Sequence, residues 1–179
     1  MAAKKRNIVL CGFMATGKSS VGRRLAEMLG CDFLDLDSMI EAEEGMPISQ
    51  IFASRGEPAF RALEARMVER IALRKGCVVA AGGGTIVDEK NLRRLKRNGI
   101  VITLTADIKT ILERAGAADD RPLLRGNNKA ERIRRLMEQR QQAYARADIV
   151  IDTSSKSIDE VAKSVLDRLP EYGARQERT

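Results

Sequence analysis

The chain has 179 residues, of which 44% are hydrophobic and 32% are charged, a balance typical of one folded domain rather than of a disordered chain. No apolar run approaches the ~20 residues that a membrane-spanning helix needs, and the basic N-terminus lacks the cleavage site of a signal peptide. Histidine is absent, so histidine catalysis and histidine metal sites are excluded, and any general base must be a carboxylate.

The net charge of +7 is compatible with two kinds of partner, nucleic acid or small anions. Much of the excess lies in the terminal tails and between Arg121 and Arg146, which favours phosphate and carboxylate ligands over a continuous DNA-binding face. Aromatic residues make up only 3% and tryptophan is absent, so platforms for stacking single-stranded bases are nearly lacking. We therefore expect no nucleic-acid partner.

Five short apolar runs alternate with helical patterns along the chain, which is typical of a parallel sheet covered on both faces. The strands are predicted at 8–11, 32–35, 77–81, 100–105 and 148–151. After the first helix, further helices are predicted at 58–75, 88–97, 107–115, 131–144 and 157–169.

Two regions break this alternation. Residues 38–56 begin with acidic residues and continue through Gly45 and Pro47 to a small helical turn, and we assign 38–62 as a substrate-binding insertion. Residues 116–128 have no periodicity and hold a glycine-flanked charged stretch, which predicts a mobile lid at about 115–128. An ordinary surface loop is the alternative.

The segment 12–19, GFMATGKS, has the spacing G-x-x-x-x-G-K-[ST] between an apolar run and a helical pattern. Its two glycines let successive backbone N–H groups converge on the point that the helix N-terminus also faces. Lys18 adds a mobile positive charge, and Ser19 adds a hydroxyl that can ligate Mg²⁺. A glycine turn with a solvated lysine is the weaker alternative, and we expect the chain to bind a nucleoside triphosphate.

Asp35 and Asp37 end the second predicted strand, where alternation would point both carboxylates the same way, toward the ligand-binding edge of the sheet. One can meet Mg²⁺ through water, and the other can guide or deprotonate an attacking hydroxyl. The alternative is capping of the next helix by Asp37 or Ser38. The three glycines 82–84 follow a buried run and would let a ligand approach the backbone closely, unless they form a plain flexible turn.

Three arginines are better placed than the rest to bind ligands. Arg61 opens a helix just after a turn containing Gly56, Arg121 lies in the predicted lid, and Arg140 precedes Tyr144 by one helical turn. A pair of arginines can hold an organic acid with a bidentate geometry that lysine cannot supply.

The three cysteines, Cys11, Cys31 and Cys77, lie in apolar, strand-like runs and have no metal-ligand spacing. An odd number of such cysteines indicates buried free thiols in a reducing cytoplasm. We expect a cytoplasmic monomer with no membrane partner.

These motifs together resemble the shikimate kinase family, small P-loop phosphotransferases of the nucleoside monophosphate kinase fold. The resemblance covers nearly the whole chain and rests on these residues: 12–19 with VGRRLA at 21–26, Asp35-Leu36-Asp37, Phe60-Arg61, glycines 82–84 with Thr85, Arg121-Pro122-Leu123-Leu124, and Arg140 with Tyr144. It departs from the family pattern at Ala15, where many relatives have a third glycine, and at Ala81, where a small hydroxyl residue is frequent.

The resemblance implies a single kinase domain over 1–179: a three-layer α/β sandwich with a central five-stranded parallel sheet, of P-loop NTPase type, with a mobile lid. It implies ATP-dependent phosphorylation of the shikimate 3-hydroxyl in aromatic amino-acid biosynthesis, giving shikimate 3-phosphate and ADP. Two alternatives stay open. One is a kinase of the same fold that acts on gluconate or a nucleoside monophosphate, and the other is a non-catalytic module that binds nucleotide or nucleic acid.

The resemblance also implies residue roles. Asp37 contacts the reacting hydroxyl as the proposed base, and Lys18 and Arg121 stabilise the transferring phosphoryl group. Asp35 supports Mg²⁺ through water, with Ser19 as the second metal-site residue. The shikimate-binding residues are Asp37, Arg61, Gly82, Gly83, Gly84 and Arg140. Arg114 packs on adenine beside the loop at 154–156, and the ATP-binding residues are Gly12, Met14, Ala15, Thr16, Gly17, Lys18, Ser19, Ser20, Arg114, Arg121 and Lys156.

Overall fold

A computed structural model describes residues 6–115 and 128–169 of the chain. Its centre is a sheet of five strands: β1 (Asn7–Cys11), β2 (Phe33–Asp35), β3 (Val78–Ala80), β4 (Gly99–Thr105) and β5 (Ile149–Asp152). All neighbouring strands are parallel, in the order β2-β3-β1-β4-β5. The five predicted strands are confirmed to within one residue at each end.

Seven α-helices lie in the described ranges: α1 (Lys18–Leu29), α2 (Leu36–Glu44), α3 (Ile48–Ala72), α4 (Glu89–Asn98), α5 (Ile108–Ala115), α6 (Lys129–Ala145) and α7 (Ile158–Asp167). The predictions for α4 to α7 are confirmed to within two residues at each end. Over residues 6–115 and 128–169, no helix is both long and apolar enough to cross a membrane.

Alternate strand residues face two separate cores, as the pleat of a strand requires. Ile8 and Leu10 of β1 pack with residues of α1 and α7 on one face of the sheet. Val9 and Cys11 pack on the other face with residues of α2 to α6. The sheet is therefore the middle layer of a three-layer sandwich, and the predicted fold class is confirmed.

The single small helical turn predicted within 38–56 is too little helix, because α2 and the first part of α3 occupy this segment. Apolar residues at helical spacing are buried there, Leu36 with Ile40 in α2 and Ile51 in α3. Gly45 only ends α2, with a φ of 65°. Gly56 (φ 76°) is non-helical and kinks α3, so the helix expected from Pro58 is the second part of a longer element.

Candidate functional site

The phosphate-loop segment lies between β1 and α1, at the edge of the sheet where the strands end. Gly12 has a φ of 131°, and a Cβ at this position would lie 2.1 Å from the carbonyl oxygen of Leu104, so only glycine fits. Gly17 has a φ of 93° and immediately precedes α1, whose N-terminus is not capped by a side chain. The N–H groups at this end of the helix point out of its first turn, in the direction from which an anion can bind.

A cavity of about 410 Å³ opens in front of this loop. It is lined by most of the residues that were predicted to bind ATP: Ala15, Thr16, Gly17, Lys18, Ser19, Ser20, Arg114 and Lys156. Gly12 and Met14 belong to the same loop but are buried. The volume is in the range of small-molecule sites.

Lys18 lies at the loop with its ammonium group 2.9 Å from the carbonyl oxygen of Phe13, to which it donates a hydrogen bond. Its stem is flexible, so the charge can follow a phosphoryl group. Ala15 is the one non-glycine residue with positive φ among the described residues, at 60°. The loop therefore holds Ala15 in a left-handed conformation that glycine would adopt more readily.

Ser19 and Asp35 form the candidate metal site. The Ser19 hydroxyl donates to Asp35 Oδ2 at 2.6 Å, which brings the two predicted metal-site residues together. In the described part of the chain, no group of three or more Asp, Glu, Cys or His side chains could hold a metal. Two oxygen ligands fit Mg²⁺, because Mg²⁺ keeps several waters and binds the phosphates of its nucleotide.

The prediction that Asp37 ends a strand is wrong. β2 stops at Asp35, and Asp37 lies in the first turn of α2. Asp35 itself caps that helix, because its Oδ1 accepts hydrogen bonds from the backbone N–H groups of Asp37 (3.1 Å) and Ser38 (3.3 Å). The alternative, a cap from Asp37 or Ser38, is therefore also wrong, and one carboxylate serves both the cap and the candidate metal site.

The glycines at 82–84 form the centre of the second candidate pocket, and the other predicted acceptor-site residues converge on them. A Cβ at Gly82 would lie 3.2 Å from Asp37 Oδ1, and one at Gly84 would lie 2.6 Å from Arg61 Nη1. A Cβ at Gly83 would lie 3.3 Å from both Arg140 Nη1 and the carbonyl oxygen of Gly12. Two carboxylates (Asp37 and Glu64), two guanidinium groups and the phosphate loop thus surround a backbone without side chains.

Buried side chains hold this arrangement in place. The Glu64 side chain is 2% exposed, and its two oxygens accept hydrogen bonds from Arg61 Nη1 (2.8 Å) and Thr85 Oγ1 (2.5 Å). Burial lowers the pKa of Arg61, but the charges and hydrogen bonds of Glu64 and Glu57 outweigh it, so the net effect raises that pKa. Arg61 is therefore held as a cation.

Tyr144 fixes the glycine backbone from the other side. Its hydroxyl donates to the carbonyl oxygen of Gly83 at 2.7 Å. Burial raises the pKa of Tyr144 to about 12, against the opposing effect of Arg140, so the hydroxyl keeps its proton at neutral pH. Arg140 and Tyr144, which stand one helical turn apart in the sequence, therefore both lie against the backbone of Gly83.

Sequence analysis did not predict several residues of these pockets, among them Glu64, Thr153 and Ile158. Glu64 could have been noticed in the sequence, because this acidic residue falls on the apolar helix face formed by Phe60, Leu63 and Met67. Ile158 is 48% exposed and gives the cavity an apolar wall; Arg114 lines the same cavity. Nothing in the local sequence distinguishes Ile158 from an ordinary core residue of a helix. Thr153 contacts segments that are distant in sequence, so only the fold reveals it.

Arg121 and residues 116–127 of the predicted lid lie outside the described residues. The cysteines are free as predicted, but only Cys11 and Cys77 are buried, and Cys31 is half-buried.

The family model described as "SKI: Shikimate kinase" matches residues 14–170. The chain belongs to the shikimate kinase family. A shikimate kinase of Persephonella marina is 48% identical over 164 residues, which cover 92% of this chain and 99% of the relative. The shikimate kinase of Acinetobacter baumannii, solved in complex with shikimate, superimposes with a TM-score of 0.89 at 36% identity and covers 93% of this chain and 94% of that one.

A gluconokinase from Sinorhizobium meliloti 1021 is also similar in structure, with a TM-score of 0.58 at 17% identity over 98% of this chain and 100% of that one. At that identity the likeness shows the fold alone. Membership of the shikimate kinase family makes this chain a kinase, which contradicts the alternative of a non-catalytic binding module.

Proposed function

We propose that this chain transfers the γ-phosphoryl group of ATP to the 3-hydroxyl of shikimate, giving shikimate 3-phosphate and ADP in aromatic amino-acid biosynthesis. The observation that carries the proposal is the convergence of Asp37, Arg61 and Arg140 on glycines 82–84, directly beside the phosphate loop. A hydroxy acid needs cations for its carboxylate and an acceptor for its hydroxyl proton, and this pocket supplies both. Relatives named shikimate kinase support the choice of acid.

The contacts support the following residue roles. The phosphate loop and Lys18 hold the triphosphate, while Arg61 and Arg140 hold the carboxylate with paired donors. Asp37 orients the hydroxyl and accepts its proton as the oxygen attacks the γ-phosphorus, and ADP leaves. The chain forms no covalent bond to the substrate, so positioning and charge neutralisation provide the rate. We assign Arg121, in a lid at about 115–128, to the phosphoryl group as well.

We also propose Mg²⁺ as the metal that accompanies ATP, held by Ser19 and, through water, by Asp35. When bound, Mg²⁺ neutralises charge on the phosphates. The hydroxyl and carboxylate oxygens are hard ligands, which suit Mg²⁺ better than a soft metal. Removal of divalent metal with EDTA should abolish turnover, and added Mg²⁺ should restore it. Full turnover in EDTA would contradict this assignment.

The direct test is a coupled ADP-release assay on the purified chain with ATP, Mg²⁺ and one acceptor at a time. We expect turnover with shikimate and little with gluconate or a nucleoside monophosphate. Turnover only with gluconate or with a nucleotide would overturn the assignment of the acceptor. Identification of the phosphorylated product by mass spectrometry completes the test.

We further propose that the chain acts as a single kinase domain and as a monomer in the cytoplasm. Free cysteines suit a reducing compartment. The large exposed apolar residues of the described part are Leu73, Val87, Val150 and Ile158, and Ile158 belongs to the cavity rather than to an open surface. Light scattering on the purified chain tests the oligomeric state.

A further inference from the structure

Thr153 directly follows β5, where the last strand reaches the nucleotide cavity. It is only 2% exposed, yet it carries a polar hydroxyl. That oxygen lies 3.0 Å from Arg114 Nη1, 3.2 Å from the carbonyl oxygen of Thr16 and 3.0 Å from that of Thr105. One buried hydroxyl therefore joins the phosphate loop, the end of β4 and the arginine predicted to pack on the base.

The two carbonyl oxygens define what this hydroxyl can do. A threonine hydroxyl has one proton to donate and two lone pairs to accept with. The carbonyl oxygens of Thr16 and Thr105 can only accept, so they take the proton between them. A lone pair of the same oxygen is then left to accept the hydrogen bond from Arg114.

Arg114 is held by the same residue through a second atom. Its Nη2 donates to the carbonyl oxygen of Thr153 at 2.8 Å, while Nη1 also lies 3.4 Å from the carbonyl oxygen of Ala15. Two hydrogen bonds from two nitrogens to one residue fix the plane of a guanidinium group, which a single contact would not do. Removal of the hydroxyl leaves the bond to the Thr153 carbonyl oxygen and only the longer, 3.4 Å contact to Ala15, so the guanidinium plane is held less firmly.

We propose that Thr153 is a positioning residue for the nucleoside triphosphate: its hydroxyl sets the plane of Arg114 at the base side of the cavity. The inference rests on the proposed function, because it takes the cavity as the ATP site. It assigns to Thr153 an effect on nucleotide affinity that acts through Arg114, with no contact to the reacting atoms.

The matched pair of variants is Thr153→Val and Thr153→Ser. Valine keeps the size and branching of the side chain but lacks the hydroxyl, whereas serine keeps the hydroxyl and lacks the methyl group. We expect Thr153→Val to raise the Kd for ADP and the KM for ATP by about tenfold, with kcat and the KM for shikimate within about twofold of wild type. Thr153→Ser should keep the Kd for ADP and the KM for ATP within about twofold of wild type.

ADP binding is measured by calorimetry without acceptor, so the result does not depend on which acid is phosphorylated. Failure of the wild type to phosphorylate shikimate would overturn the proposed function but leave this binding test intact. If Thr153→Val binds ADP like wild type, or Thr153→Ser loses as much affinity as Thr153→Val, the positioning role is wrong. Should Thr153→Val fail to fold, Thr153→Ala replaces it in the same comparison with Thr153→Ser.

A double-variant cycle tests whether the effect passes through Arg114. If it does, Thr153→Val should weaken ADP binding in the wild-type background but change it by less than about twofold in an Arg114→Ala background. Losses that multiply in the double variant would show that Thr153 acts independently of Arg114, and would overturn the proposal.

Discussion

Charged side chains at the proposed acceptor pocket around glycines 82–84 take their positions from buried neighbours. Arg61 alone could adopt many rotamers, but Glu64 is buried below it and accepts its hydrogen bond at 2.8 Å. Glu64 is fixed in turn by the hydroxyl of Thr85, a residue that is itself fully buried. A carboxylate can be buried in this way only because both of its oxygens are paired.

Asp37→Asn should separate nucleotide binding from chemistry. The amide keeps the size of the side chain but cannot take a proton, so we expect kcat to fall by about 100-fold or more while the KM for ATP stays within about twofold. Steady-state kinetics with shikimate measure both values. Asp32→Asn is the matched control, because its side chain is 82% exposed before β2, and it should retain wild-type kinetics. Near-normal kcat in Asp37→Asn would rule out Asp37 as the base.

Arg140→Ala should act mainly on the acceptor. The loss of a charged contact to a desolvated carboxylate costs roughly 2–4 kcal/mol, which raises the KM for shikimate by roughly 30-fold or more. The KM for ATP should change little. Arg135→Ala provides the control, because Arg135 lies on the exposed surface of the same helix. If Arg140→Ala keeps the wild-type KM for shikimate, the acceptor pocket is wrongly assigned even if the reaction is right.

At the scale of single elements, the loop between β1 and α1 is shaped by close packing on the end of β4. Gly12 cannot gain a Cβ without meeting the carbonyl oxygen of Leu104. Gly45, at the end of α2, also has a positive φ, of 65°, but nothing lies within 4 Å of its Cβ position. Gly45 therefore reports the cost of a left-handed backbone alone, whereas Gly12 combines a less favourable φ of 131° with a steric clash.

Gly45→Ala should lower the free energy of unfolding by about 1 kcal/mol, because alanine only has to adopt the left-handed conformation. Gly12→Ala should cost at least about 3 kcal/mol, since the loop must also move away from β4. Urea unfolding of the two variants measures the difference. Equal costs would mean that the loop relaxes freely, and its shape would then not depend on this packing.

For the whole molecule, the buried thiol of Cys11 should make the free energy of unfolding fall at alkaline pH. Burial raises the pKa of Cys11 to about 11, although a hydrogen bond with Thr103 acts in the opposite direction. At pH values between the ordinary thiol pKa and about 11, the Cys11 thiol has lost its proton in the unfolded chain and keeps it in the folded chain. The folded state then binds more protons, so the free energy of unfolding falls as pH rises. The buried Tyr144 and Cys77, whose pKa values are also raised, act in the same direction.

Cys11→Ser should therefore flatten this decline. Serine can make the same hydrogen bonds but does not ionise in this range, so it removes one titrating group from the core. Between pH about 8 and about 10.5, we expect wild type to lose about 2 kcal/mol more than Cys11→Ser. Urea unfolding at the two pH values measures the difference between the slopes. Parallel slopes would show that the Cys11 thiol does not control the alkaline decline.

Local patterns in the sequence were enough for the phosphate loop, all five strands and the parallel three-layer fold. These features depend on neighbouring residues, because a strand followed by G-x-x-x-x-G-K-S and a helix defines its own geometry. The same reasoning fell short for residues 38–56, where it predicted only a small helical turn after Gly45 and Pro47. Burial of Ile40 and Ile51 against the rest of the core stabilises two helices there instead.

Sequence by itself named Asp35, Asp37, Arg61 and Arg140, but tertiary structure decided how they are held. Asp35 became both a helix cap and the partner of Ser19, 16 positions away. Thr153 meets Arg114 across 39 positions of sequence. Such contacts arise only when parallel strands bring segments that are distant in sequence to one edge of the sheet. Local sequence patterns do not predict which side chains will meet there.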